Sequence, residues 1–149
     1  MAEISFYHLT QSSLEQALPE LLEKTLERGW RAVVMAGSAE RVEALAQFLW
    51  TYRQDSFLPH GSDKDGDAED QPVWLTHRDE RPNGAQVLFL VDGAQSEKLA
   101  DYARVCDLFD GNDDAAVAGA RTRWKAAQEG GHDLSYWQQG ERGWEKKAS

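Results

Sequence analysis

The chain has 149 residues, one cysteine and a net charge of −10, from 26 acidic against 16 basic side chains. That length suits one ordinary domain, a lone cysteine excludes an internal disulfide framework, and a surface this acidic disfavours general binding to phosphate backbones. No secretory leader or run of apolar residues long enough to span a bilayer is legible, so a cytoplasmic protein is expected.

In chain order, Ile4 to Leu9 (ISFYHL) reads as a buried first strand. Ser12 or Ser13 can cap a helix that carries Leu14, Leu18, Leu21, Leu22 and Leu26 and stops at Arg28 and Gly29. Arg31 to Ala36 is a second strand, and Ala39 to Tyr52 a second helix with Val42, Leu45, Phe48 and Leu49 on one stripe. The segment GSDKDGDAED, about 61–71, has too little apolar surface to repay ordering and reads as a mobile acidic loop within a single domain spanning 1–149. Pro72 to Thr76 is a short strand near an edge, and Gln86 to Val91 (QVLFLV) a central one. A short helix from Ser96 to Tyr102, a strand from Arg104 to Phe109 and a last helix capped by Asn112 complete the regular elements. Gly130 and Gly131 end that helix; the Gln-, Gly- and charge-rich remainder is expected to be an ordered turn and then a frayed tail over about 140–149. Alternating strands and helices imply a three-layer α/β domain, a mostly parallel sheet flanked by helices in a Rossmann-like arrangement.

Such a fold raises the possibility of a nucleotide-binding enzyme, but no glycine-rich phosphate loop follows any strand; MAGSAE after the second strand has one glycine and no basic neighbour. Asp63, Asp65 and Asp67 resemble the start of a calcium loop, yet Ala68 stands at the glycine position and Trp74 at the final ligand position. The histidines His8, His60, His77 and His132 lack metal-ligand spacing. No cofactor, metal or catalytic residue is therefore expected.

Two constellations remain. Between Ala115 and Gln128 the last helix carries Arg121, Arg123 and Lys125 and no acid, a local excess of three positive charges in an anionic chain. Helical spacing puts Val117, Ala120, Trp124 and Ala127 on an apolar stripe and Arg121, Lys125 and Gln128 on a polar one beside it. An indole at the seam between core and basic face suits a peptide ending in an apolar residue and a free carboxylate, although a solvated face with Trp124 in the core is the more ordinary use of the pattern. The second constellation, FLWTYRQDSFLPH from Phe48 to His60, concentrates Trp50, Tyr52, Phe57 and Leu58 past a helix end, either as a satellite cluster or as a protein-binding surface.

In the order and spacing of FYHL, ERGWRAVVMA, ALAQFLWTYRQDSFLPH, QVLFLV, RVCDLFD and ARTRWKAAQEGG, the chain resembles the chi subunits of DNA polymerase III. The resemblance implies a mononucleotide-binding-like fold without catalytic activity, an adaptor of the clamp loader in DNA replication. It further implies that the basic helix receives the acidic C-terminal tail of single-stranded-DNA-binding protein, with Arg121 and Lys125 holding the acidic groups, Trp124 and Phe109 lining the pocket for a terminal Phe, and Gln128 on the same stripe. By the same resemblance, Trp50, Phe57, Pro59 and His60 match the surface for the psi subunit. The acidic loop has no clear counterpart in that family, and Val117 stands where a basic residue could have added charge.

Overall fold

The computed structural model describes residues 3–51, 59–140 and 143–148. Among them are seven strands, β1 (Glu3–Leu9), β2 (Ala32–Met35), β3 (Val73–Thr76), β4 (Val87–Leu90), β5 (Arg104–Asp110), β6 (Asp133–Gly140) and β7 (Gly143–Ala148), and three α-helices, α1 (Leu14–Glu27), α2 (Ala39–Thr51) and α3 (Asp114–Glu129). They form one sheet in the order β3-β2-β4-β5-β1-β6-β7, parallel throughout except for the antiparallel β6–β7 pair. The strands β2, β3 and β4 are buried on both faces, which is why they read as unbroken apolar runs.

Alternation along the strands divides the core in two. Leu108, Val34 and Phe89 pack with Leu18 and Leu22 of α1 and Leu45 and Leu49 of α2 on one face. On the other, Ile4, Phe6, Val105 and Phe109 pack with Ala120 and Ala127 of α3. The expected three layers are present, with α1 and α2 opposite α3.

Helix starts follow the capping chemistry. Ser13, not Ser12, caps α1 in a complete capping box with Gln16. Asp113 caps α3 by accepting from the amides of Ala115 and Ala116, one residue later than expected; Asn112 instead donates its side-chain amide to the Thr10 carbonyl.

Two expectations are overturned. The segment from Ser96 to Tyr102 holds only a 3-10 turn, Leu99–Asp101, because the Gln86 carbonyl takes the amides of Ala103 and Arg104 at 2.8 and 3.1 Å, which draws the chain into β5 and leaves too few residues to propagate a helix. The C-terminal stretch expected to be a turn and a frayed tail pairs as β6 and β7. Its signal was masked by glutamine, yet Trp137 and Trp144 supply apolar anchors: Trp144 meets Tyr7 edge-on at a centroid distance of 5.0 Å. In the acidic segment, the Asp65 carboxylate accepts the Ser62 amide and Asp63 pairs with Arg78.

Candidate protein-binding surface and the closed crevice

The helix α3 is fixed to the sheet by an ion pair. Arg123 donates from Nε and Nη2 to the two carboxylate oxygens of Asp107 on β5, at 2.6 and 3.0 Å, and the two side chains are 11% and 3% exposed. Burial pushes the Asp107 carboxyl above its ordinary value, and the hydrogen bonds and charge of Arg123 offset this only in part. Of the three cations in the helix, Arg123 is thus structural, while Arg121 and Lys125 are exposed one turn apart on the same side. Gln128 is likewise exposed on that side.

Trp124 does sit at the seam. It is half-buried, edge-on to Phe6 of β1 at 5.3 Å and to Tyr136 of β6 at 5.9 Å. Tyr136 continues the aromatic surface: its ring lies 6.0 Å from Phe109 and 5.8 Å from His8, and its hydroxyl shares a 2.6 Å hydrogen bond with His8 Nδ1. The His8 ring is wedged in place, since a Cβ at Gly111 would overlap it. Phe109 itself is buried and forms the wall behind His8 and Tyr136. Burial raises the Tyr136 phenol and the nearby charge of Arg121 pulls it partly back, so the guanidinium acts directly on this cluster. The structure therefore brings Phe109, Arg121 and Trp124 together around two residues that the sequence reading missed. His8 was accessible from the alternation of β1, which puts it on the side of Phe6; Tyr136 was not, because β6 had not been read as a strand.

The second constellation is described in part. Trp50, at the end of α2, is 51% exposed, and its ring lies 4.5 Å from that of His60. His60 is buried and donates from Nε2 to the Ala46 carbonyl at 2.9 Å, so it supports Trp50 from beneath. Pro59 is half-buried beside it, and Phe57 lies outside the described residues.

A crevice of about 830 Å³ opens at the C-terminal ends of β1 and β5. Here α1 and α3 leave adjacent strands for opposite faces, the position where doubly wound folds hold nucleotides. Its chemistry is turned against phosphate. Both cations in the lining are paired: Arg123 with Asp107, and Arg41 between Glu15 at 2.8 Å and Asp92 at 2.7 Å. Asp110 and Asp113 add negative charge. The backbone amides of Thr10, Gln11 and Ser12, an anion nest by geometry, all donate to one oxygen, Oε1 of Gln139 from β6, at 3.0, 2.9 and 2.9 Å. Gln139 Nε2 then donates to Ser12 Oγ at 2.8 Å. A side chain of the protein itself thus engages the amides that an anion would need.

Fold and site thus define a mostly parallel α/β domain whose crevice has both its cations paired and its loop amides engaged, and whose exposed chemistry is an aromatic and basic surface on α3. The family described as DNA polymerase III chi subunit, HolC, matches residues 1–135, and the chain belongs to that family. It is 31% identical over 108 residues to "Probable DNA polymerase III subunit chi" of Rickettsia prowazekii (strain Madrid E), an alignment covering 70% of this chain and 66% of the relative. Among the described residues, no helix is long and apolar enough to cross a membrane.

Proposed function

We propose that this chain is a non-catalytic accessory subunit of the DNA polymerase III clamp loader, and that its α3 surface captures the acidic C-terminal tail of single-stranded-DNA-binding protein. The observation that carries the reading is the pairing of two exposed cations, Arg121 and Lys125, with a half-buried indole at one seam of an acidic molecule. In this arrangement Arg121 pairs with the terminal carboxylate, Lys125 attracts the upstream acids, and the terminal aromatic side chain packs on Trp124 and Tyr136. Phe109 backs the ring cluster and Gln128 extends the polar side. Family membership supports the same reading, and the paired cations and engaged amides of the crevice speak against the rival, a nucleotide-binding enzyme.

A psi-like partner is proposed for the surface around Trp50, with Pro59 beside it, His60 supporting it, and Phe57 assigned by family resemblance alone. Calorimetry with an acidic peptide ending in Pro-Phe tests the α3 site. Binding should weaken as salt rises, Arg121→Ala should cost about 2–4 kcal/mol, and amidation of the peptide terminus should also weaken it. Unchanged affinity in Arg121→Ala contradicts the assignment.

A further inference from the structure

A second aromatic and basic site lies on the opposite face of the sheet. Successive residues of a strand point to opposite sides, so Tyr7 and Trp137 face away from their neighbours His8 and Tyr136. Between α1 and the β6–β7 hairpin they open onto a pocket of about 200 Å³, completed by Trp30 and Trp144 over a floor that includes Val87, Phe89 and Cys106. Lys24, Arg28 and Arg104 are its charged lining residues, and no carboxylate is among them. That bias runs against the −10 charge of the whole chain. Among the described residues Lys24 in the last turn of α1 and Arg28, its C-cap, form no ion pair, while Arg104 has Glu3 at 3.7 Å. Arg28 lies over the Trp30 ring at 5.5 Å, so its charge is held at the pocket mouth.

We propose that this pocket is a docking site for an acidic peptide segment anchored by one bulky apolar side chain. Unpaired cations at the rim supply charge complementarity, and the volume suits a single Phe or Leu side chain. A peptide is favoured over a nucleobase because the floor of Leu21, Val87 and Phe89 is apolar and two of the polar groups beside it are engaged: the Thr25 hydroxyl donates to the Leu21 carbonyl at 2.9 Å and the Trp137 indole to Ser135 Oγ at 3.0 Å. Two walls, Trp137 and Trp144, lie beyond the residues 1–135 that the family matches, so the pocket is completed by residues outside that match. The two sites stand back to back, and one chain could hold two acidic segments at once.

The test uses the full chain and a fluorescent peptide of Asp and Glu with one central Phe, acetylated and amidated so that it lacks the free terminus the α3 site requires. Salt-sensitive binding is expected, about tenfold weaker in the charge-reversed pair Lys24→Glu/Arg28→Glu and unchanged in Arg121→Ala. Replacing the peptide's Phe by Ser should weaken it comparably. Absence of binding overturns the proposal. So does indifference to Lys24→Glu/Arg28→Glu, equal binding of the Ser peptide, or a loss in Arg121→Ala as large as in the charge-reversed pair. Binding of oligothymidylate in place of the peptide, lost in the charge-reversed pair, overturns it in favour of a nucleic-acid site. Both lysine and arginine are exposed, so folding is not at stake.

Discussion

The two surfaces flanking β1 and β6 are made from neighbouring residues, His8 and Tyr136 on one side and Tyr7 and Trp137 on the other, but different forces hold them. On the α3 side a buried, bidentate ion pair between Arg123 and Asp107 locks a helix to the central sheet, and the exposed cations ride on that rigid element. On the hairpin side no such pair exists among the described residues; the wall is a two-stranded edge held by ring contacts such as Tyr7 to Trp144. The difference teaches that similar surface chemistry, an i,i+4 pair of cations beside an indole, can be presented by a stiff support or by a peripheral one. A stiff receptor loses less entropy when it binds.

The comparison can be broken most severely at Asp107. Asp107→Ala leaves the mostly buried Arg123 guanidinium at the crevice wall without its partner, and denaturant unfolding should reveal a loss of about 3–5 kcal/mol. A loss under about 1 kcal/mol would mean that α3 is held by its apolar stripe instead. Trp144→Ala comes next: because the indole is half-buried, a loss of about 1–3 kcal/mol is expected, confined by hydrogen exchange to the β6–β7 amides. Exchange spreading evenly through α3 would show the two surfaces to be one cooperative unit. The smallest of the three, Gln139→Ala, removes the acceptor of three loop amides that water can partly replace, and should cost about 1–2 kcal/mol in thermal or denaturant unfolding. A neutral result would reduce the filled nest to a coincidence of packing.

Much of this was legible in the residues. Leucine periodicity in α1, unbroken apolar runs in β2 and β4 and the glycine pair after α3 made those elements legible, since each signal is local. The basic stripe with Trp124 at its seam also followed from helical spacing alone. What escaped was long-range. Asp107 offers no sign in sequence that it will pair with Arg123, so the helix seemed to carry one more free cation than it does. Gln139 looks like a solvated glutamine until β6 places it over the Thr10 loop, and Trp137 and Trp144 lie among Gln, Gly and charged residues that dilute any period-two pattern. The Ser96 segment reads as a helix because the acceptor that draws its end into β5, the Gln86 carbonyl, is not evident from the local pattern.

The central claim, that α3 is the receptor for an acidic chain end, is tested most directly by the six indole N–H resonances of the ¹⁵N-labelled protein, one for each tryptophan. Titrated with an acidic peptide ending in Pro-Phe-COO⁻ in the Lys24→Glu/Arg28→Glu background, which disables the second pocket, the Trp124 indole should shift most, in parallel with the backbone amides around Arg121 and Tyr136, while those of Trp30, Trp137 and Trp144 stay in place. A titration in which Trp124 remains still, or in which the hairpin indoles move instead, contradicts the account.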